Sequence, residues 1–204
     1  MYELLMALLT FNPSTFNFYG VTLNNSVTYN GQNLPLTGYG MGGKRTGPTV
    51  TKIAVNQFFT ERPQNFVRTE DDALNSLDRV GNVVMSVSFL RGVDTQAVKS
   101  SIAGVITSNI NLKEMPLYQN DIEEVSDAIM SDGAIYAGQT INVIGNTVTG
   151  LLIYINASGK VTVLETSQGF VKKVFAAWFG QMTDQQGYNL KMALINSPSL
   201  NSTK

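Results

Sequence analysis

The stretch that decides the fold class is residues 38–59, GYGMGGKRTGPTVTKIAVNQFF. Its first part, 38–45, matches the glycine spacing of a dinucleotide-binding turn and all but the last position of a P-loop. Both loops need a helix N-terminus directly after them, because the helix amides and dipole hold the phosphate. Here Arg45 replaces the P-loop hydroxyl, and the β-branched and aromatic run from Val50 to Phe59 favours a strand. The sequence therefore predicts a glycine-rich turn between two strands rather than a nucleotide site.

The segments on either side of this turn are predicted to form hairpins. FNFYGVTL and SVTYNGQNLPL, at 16–23 and 26–36, are strand-like, and the Asn30-Gly31 dipeptide within the second suits a type I′ turn. NVVMSVSFLRG, at 82–92, alternates between two faces and is the clearest strand. Further strands are predicted at QTINVIGN, GLLIYINA and KVTVLET, which cover 139–146, 150–157 and 160–166, with Ser158-Gly159 as the turn between the last two.

Helices are predicted in a block between the strands and at the end of the chain. Asp94 is a predicted N-cap, and the spacing of Val98, Ile102 and Val105 marks one face of the helix that follows it. The other predicted helices are a short one within 69–80, then 119–131, 169–180, and 184–195 with Thr183 and Gln186 as its capping box. This order predicts an α+β fold, in which helices cover one face of an antiparallel β-sheet as in an open-faced β-sandwich.

The chain is expected to form a single domain over residues 1–204, because no repeat or linker interrupts the pattern. The apolar start, about 1–14, predicts a short N-terminal helix, with a remnant of an export signal as the alternative. That alternative favours a periplasmic or secreted protein over a cytoplasmic one. The polar tail, about 196–204, is expected to be disordered. No apolar run reaches the length of a membrane span.

The composition excludes several kinds of chemistry. With no cysteine and no histidine, the chain has no thiol nucleophile, no disulfide, no Cys or His metal site and no Ser-His-Asp triad. The net charge is −1 and there is no basic run, which argues against a nucleic-acid partner. Asp121, Glu123 and Glu124 do not converge from one helix, so we expect a solvated face there rather than a metal site. No cofactor is expected.

Four segments together resemble the chalcone isomerase family, especially its bacterial and chalcone-isomerase-like members. They are LNNSVTYNGQNLPLTGYG, TKIAVNQFF, VMSVSFLRGVDTQAVKSSI and GKVTVLETSQGFVKKVFAAWFG, and the likeness covers about residues 18–195. Their order and spacing carry the likeness, since none of them is a catalytic signature. The resemblance implies an apolar cleft between sheet and helices, with GYGMGGKR as a turn at its mouth. The apolar stripe from Phe170 to Trp178 is predicted to pack in the core, and such helices also wall the family's cleft.

The resemblance also implies where catalytic residues would lie. In the family's enzymes a chalcone binds in the cleft, and its phenolate closes a flavanone ring. The arginine of the turn maps near Gly42, Lys44 or Arg45, and the threonine of the next strand maps to Ala54. The tyrosine, lysine and asparagine of the following helix map near Val98, Ser101 and Val105. A last threonine maps to Thr162. Only Thr162 is a like residue, and no tyrosine occurs between Tyr39 and Tyr118. We therefore do not expect the isomerase reaction of the family.

Other members of this family bind fatty acids, with an arginine and a tyrosine on the carboxylate. Lys44 or Arg45 could supply the cation, whereas the tyrosine is absent from its usual place. The resulting hypothesis is a non-catalytic protein that binds an apolar, anionic small molecule such as a fatty acid or a flavonoid-like compound. Its ligand-binding residues would be Lys44, Arg45, Ala54, Val98 and Thr162. The alternatives are an isomerase or intramolecular lyase with a rearranged site, and a structural accessory protein without a ligand.

Overall fold

The structure is a computed structural model and describes residues 9–131, 133–167, 169–198 and 200. The strands are β1 Thr10–Phe18, β2 Val21–Tyr29, β3 Gln32–Thr46, β4 Thr49–Thr60, β5 Val83–Phe89, β6 Val93–Asp94, β7 Ala134–Ile135, β8 Thr140–Asn146, β9 Leu151–Ile155 and β10 Val161–Glu165. The helices are α1 Ala73–Ser76, α2 Thr95–Ser108, α3 Met115–Met130, α4 Phe170–Phe179 and α5 Gln185–Asn196.

The main sheet has eight antiparallel strands in the order β1-β2-β3-β4-β5-β8-β9-β10, and β6 pairs with β7 in a small separate ribbon. Strands that are neighbours along the chain are also neighbours in this sheet, except where the segment from β6 to β7 is inserted between β5 and β8. Helices pack against one face of the sheet. The predicted α+β class, an antiparallel sheet with a layer of helices on one face, is confirmed.

The two faces of the sheet bury different clusters. On the face that packs against the helices, which we call the helix-covered face, Phe58 of β4 meets Phe179 of α4 at a ring-centroid distance of 4.7 Å. The opposite face carries a second cluster of Val27, Tyr29, Leu34, Phe59, Val84, Ile144, Ile153 and Ile155. This second cluster forms because the sheet curls and β2 approaches β4, where the backbone N–H of Asn24 donates to Oε1 of Gln57 at 2.7 Å.

Tight turns join the first strands. Asn30 and Gly31 have φ values of 49° and 74°, the left-handed conformations that a type I′ turn requires, so this prediction is confirmed. Tyr19 and Gly20 have φ values of 52° and 86° and form the turn between β1 and β2. That turn divides the stretch 16–23, which the sequence predicted as one strand. A tyrosine in this conformation is uncommon, so only the glycine could have indicated the turn.

The glycine-rich segment 38–45 lies within β3, so the prediction that it forms a turn is wrong. β3 continues to Thr46, and the chain reverses at Gly47, whose φ is +60°, before β4 begins at Thr49. The strand predicted directly after the glycines is confirmed as β4. As a result, the segment is flanked by strand on both sides, and no helix N-terminus follows it to bind a phosphate.

The alternate glycines of β3 have a packing role instead. Gly38 and Gly40 lie on the helix-covered face, where α5 crosses the strand. A Cβ on Gly38 would collide with the backbone carbonyl oxygen of Leu194, and one on Gly40 would lie 2.9 Å from the Cβ of Ala193. Larger residues would push α5 away from the sheet. The glycines therefore let the helix backbone lie directly on β3.

Polar contacts attach the C-terminal end of α5 to the sheet. The guanidinium of Arg68 donates to the carbonyl oxygen of Ile195 at 2.7 Å and to that of Thr37, in β3, at 2.6 Å. The Oγ of Ser197 accepts from the backbone N–H of Tyr39 at 2.8 Å. Burial lowers the pKa of Arg68 from its ordinary value. The contact with Ile195 satisfies a carbonyl group at the helix end, and the other two attach that end to β3.

Most of the predicted helices are confirmed, with changes at their ends. α2 begins after Asp94, which accepts from the backbone N–H of Gln96 at 3.0 Å, and α4 covers the predicted apolar stripe with its aromatic residues buried. α3 begins at Met115, earlier than the predicted 119. The N-cap of α5 is Asp184 rather than Thr183, because the Asp184 carboxylate accepts from the N–H groups of the first helical turn at 2.7 and 2.8 Å.

The chain ends are only partly described. Residues 10–14, which were predicted to belong to an N-terminal helix, lie in β1, so the prediction is wrong for them. Residues 1–8 lie outside the described residues, and the rest of that prediction concerns them. The predicted tail begins where α5 ends at Asn196, and residues 201–204 also lie outside the described part. No helix in the described part is both long and apolar enough to span a membrane.

Candidate functional site

A cavity of about 800 Å³ lies between the helix-covered face of the sheet and helices α2, α4 and α5. Its buried lining residues, which we call the floor, are Ala54, Asn56, Val87, Phe89, Ile141 and Trp178. Its exposed lining residues, which we call the rim, are Lys44, Arg45, Asp94, Ala97, Ser101, Asp184 and Gln185. The volume lies within the range of pockets that hold small-molecule ligands.

The cavity exists because small residues face one another across it. Gly42 of β3 and Ala54 of β4 are directly paired on the sheet, and both line the cavity. Ala97 of α2 and Ala177 of α4 line it from the helix side. Without larger side chains at these positions, sheet and helices cannot fill the space between them. Gly42 differs from Gly38, because a Cβ on Gly42 would meet the Nδ2 of Asn56 at 3.2 Å and the side chain of Leu190 at 3.5 Å, whereas one on Gly38 would collide with the backbone of α5.

The floor contains one polar pair in an apolar surrounding. The indole Nε1 of Trp178 donates to Oδ1 of Asn56 at 3.0 Å, and these side chains are 6% and 3% exposed. Indole N–H can only donate, so it fixes the amide with its oxygen toward Trp178 and its NH₂ group pointing elsewhere. Among the described residues, no acceptor hydrogen-bonds to the Nδ2 of Asn56. The amide therefore offers free donors beside the cavity.

The rim carries charges of both signs. Lys44 and Arg45 lie at the end of β3, and the Nε of Arg45 donates to the carbonyl oxygen of Gly47 at 3.1 Å. The carboxylates of Asp94 and Asp184 are N-caps of α2 and α5, which both begin at the rim. Because each carboxylate is engaged with backbone N–H groups of its own helix, the two cations remain available for an anionic ligand.

Four of the five residues that the resemblance suggested for ligand binding line one cavity. They are Lys44, Arg45, Ala54 and Val98, and they are joined there by Gly42, Ser101 and Val105 from the same comparison. Thr162 does not line the cavity. It lies in β10 opposite Tyr154 of β9, whereas the cavity extends only to Ile141 of β8, two strands nearer the centre of the sheet.

Asn56 and Trp178 are the site residues that sequence reasoning missed as functional. Trp178 was assigned to core packing, and Asn56 was not singled out. A signal was present, because Asn56 lies between Ala54 and Phe58 in the period-2 pattern of β4. A polar residue on the apolar face of a strand needs a partner, and here that partner is 122 residues away in the chain.

The acidic residues of α3 do not form a metal site. Asp121, predicted to belong to a solvated face, is 6% exposed, and its carboxylate accepts from the backbone N–H of Ser167 at 3.2 Å. The prediction is therefore wrong for Asp121, whereas Glu123 and Glu124 are exposed as expected. Within the described part of the chain, no group of three or more acidic, cysteine or histidine side chains could hold a metal ion.

Comparisons with known proteins identify the fold. No family model matches the chain, and no curated protein matches it by sequence. Among solved structures, the chain is similar to a fatty-acid binding protein of Arabidopsis thaliana, AtFAP1, with a TM-score of 0.65 and 10% sequence identity over 87% of this chain and 92% of that chain. AtFAP1 has a chalcone isomerase-like fold, and the chain described here has the same fold.

Proposed function

We propose that this protein binds an apolar acid, such as a long-chain fatty acid, without transforming it chemically. The observation that carries this proposal is the cavity of about 800 Å³, which has an apolar floor and two cations at its rim. AtFAP1, which shares the fold, is a fatty-acid binding protein, and this similarity supports the same class of ligand. The chain of the acid would lie over the floor, and its carboxylate would meet Lys44 or Arg45 at the rim.

The size of the hydrophobic contribution is sufficient for such a ligand. Burial is worth about 0.8 kcal/mol per methylene group, so a chain of about a dozen carbons can reach micromolar affinity after the costs of association. A cavity of this volume that holds only water leaves its apolar walls hydrated, and covering such walls with an apolar ligand is favourable, which argues against a purely structural role. Ala54 and Val98 provide no hydroxyl groups to polarise a ketone, which argues against the isomerase alternative.

A double substitution of the rim cations tests this proposal. We expect K44A/R45A to weaken the binding of dodecanoic acid by about tenfold, because one charge-assisted contact at a partly hydrated rim is lost. Dodecanol has the same chain without the charge, and its affinity should change much less. Calorimetry on both ligands measures the two effects.

The matched control removes the same amount of charge elsewhere. Lys113 and Lys160 are exposed and do not line the cavity, so K113A/K160A should leave the affinity for the acid unchanged. If the wild-type protein binds neither ligand, the proposed function is wrong. If the acid binds and K44A/R45A has no effect, the cavity binds the chain but the carboxylate lies elsewhere.

A further inference from the structure

We infer that the floor of the cavity recognises a neutral oxygen atom of the ligand through the amide of Asn56, so that the ligand is an apolar acid with a keto or hydroxyl group along its chain. This inference rests on the proposed function, because it concerns the same cavity. The amide of Asn56 would make a second polar contact with the ligand, away from Lys44 and Arg45. This contact would make the protein prefer an oxygenated acid over a plain acid of equal length. The donors of this contact belong to a residue that is 3% exposed.

The orientation of the amide is the first step. The Nε1–H of Trp178 donates to Oδ1 of Asn56 at 3.0 Å. The indole nitrogen cannot accept a hydrogen bond, so it cannot pair with the NH₂ group of the amide. The opposite orientation would place two donors against each other. Asn56 therefore presents its NH₂ group, and only an acceptor atom can satisfy it.

The acceptor must be neutral. No charged side chain belongs to the floor, and the cations of the cavity, Lys44 and Arg45, are at the exposed rim. A carboxylate that left water for the floor would lose its hydration and gain only an amide contact, which does not offset the desolvation cost of a charge. A keto or hydroxyl oxygen costs far less to bury and accepts the same hydrogen bond. The rim thus suits the charged oxygens of a carboxylate, and the floor suits a neutral keto or hydroxyl oxygen.

The spacing between the two ends follows from the sheet. Asn56 pairs with Gly40 across the ladder, and Lys44 lies four residues further along β3. At about 3.4 Å per residue, the positions of Asn56 and Lys44 are separated by roughly 13 Å along the strand direction. An extended chain advances about 1.2 Å per bond, so this distance corresponds to roughly ten carbons between the carboxylate and the neutral oxygen.

The same geometry discriminates against a plain fatty acid. A saturated chain that covers the floor removes water from the amide without offering an acceptor in return. A buried donor without a partner is penalised more than a satisfied hydrogen bond contributes, so the effect on affinity is of the order of tenfold. The site therefore favours the oxygenated acid over the unsubstituted acid of the same length.

The test compares two ligands on the intact protein. The probes are octadecanoic acid and an oxo-octadecanoic acid with its ketone roughly ten carbons from the carboxylate. Trp178 is the only tryptophan of the chain and belongs to the floor, so its fluorescence reports binding directly. We expect the wild-type protein to bind the oxo acid about tenfold more tightly than octadecanoic acid.

Two variants assign the preference to Asn56. In N56L the two amide donors are gone and only the indole N–H of Trp178 is left as a donor, so we expect the preference for the oxo acid to fall clearly below that of the wild-type protein. The matched control is N142L, because Asn142 is also a buried amide, lies on the opposite face of the sheet, and has no hydrogen-bond partner for its Oδ1 among the described residues. N142L should keep the preference. If N56L does not fold, the infrared carbonyl frequency of the oxo acid in the wild-type complex decides, since hydrogen bonding lowers it.

The outcomes separate this inference from the proposed function. A preference for the oxo acid that is reduced in N56L and retained in N142L, with a lowered ketone frequency, supports the inference. Equal binding of both acids by the wild-type protein overturns it and leaves the proposed function intact. A preference that is undiminished in N56L also overturns it. If neither acid binds, both the inference and the proposed function are wrong.

Discussion

At the scale of single residues, small side chains on β3 and β4 decide where a helix touches the sheet and where it leaves space. Gly38 and Gly40 allow α5 to lie against the strand, with a backbone carbonyl of the helix next to Gly38. Further along the same face, Gly42 and Ala54 line the cavity, and the nearest α5 atom to a Cβ on Gly42 would be in the side chain of Leu190 at 3.5 Å. The same choice of small residues therefore produces tight packing at one end of β3 and a ligand-sized space at the other.

Gly38→Ala tests the role of Gly38 in the packing of α5 against β3. The added methyl group would collide with the Leu194 carbonyl oxygen, which cannot move without displacing α5. We expect a loss of about 3 kcal/mol in the free energy of unfolding, as for overpacked core positions. Chemical denaturation measures the change.

Gly104→Ala is the matched control for this change. Gly104 lies within α2, and a Cβ there would meet no atom within 4 Å. Alanine is the better helix former, so this variant should gain about 1 kcal/mol. Similar effects of the two substitutions would show that the close approach of α5 has no energetic importance.

At the scale of elements, the hairpin of β3 and β4 explains why a phosphate-loop motif has no phosphate site here. The glycine spacing in 38–45 is the same in a strand and in a loop, and only the element that follows distinguishes them. β4 follows directly and pairs with β3 along its length. The segment therefore pairs with β4 along one side, and on the other the N–H of Tyr39 donates to the Oγ of Ser197, so its backbone N–H groups do not converge on an anion.

We therefore expect neither ATP nor NAD at millimolar concentration to raise the melting temperature of the protein. The physical reason is the missing helix N-terminus after Thr46. Thermal denaturation with and without each nucleotide measures this, with dodecanoic acid as the positive control. A saturable increase with either nucleotide would contradict the role assigned to this hairpin.

The sequence predicted local elements of the structure better than it predicted contacts between distant parts of the chain. β5 and α2 were predicted because local period and capping suffice for them, as in the Asp94 cap. The role of 38–45 was not predicted, because the close approach of α5 is a contact between distant parts of the chain. The Asn56–Trp178 pair was missed for the same reason, with 122 residues between its members. Of the ligand-binding residues that the resemblance suggested, Ala54 and Val98 line the cavity, whereas Thr162 lies in β10 at the edge of the sheet; their role in binding stays a prediction.

At the scale of the whole molecule, the cavity connects the elements of the fold. Its lining comes from β3, β4, β5 and β8 of the sheet and from α2, α4 and α5. A ligand in this space would contact both layers at once and fill the gap between them. Its binding energy should therefore add to the stability of the entire fold rather than to that of one loop.

A saturating ligand should accordingly raise the melting temperature in a single cooperative transition. At a free concentration of about 100 times the Kd, linkage predicts roughly 2.7 kcal/mol of added stability. For a chain of this size that corresponds to an increase of roughly 5–10 °C. Circular dichroism and the fluorescence of Trp178 should report the same midpoint. If only the fluorescence midpoint moved, the ligand would be stabilising the floor alone.

The connection between β5 and β8 has a consequence for how such a protein can change over time. These strands lie side by side in the sheet, yet α2 and α3 come between them in the chain. α2 brings Val98, Ser101 and Val105 to the cavity, while β5 and β8 pair with each other directly along the ladder from Val83 to Ser88. One wall of the cavity can thus be lengthened, shortened or replaced during evolution while the sheet and its pairing persist. Descendants of one such ancestor could acquire different ligands by exchanging this insertion alone.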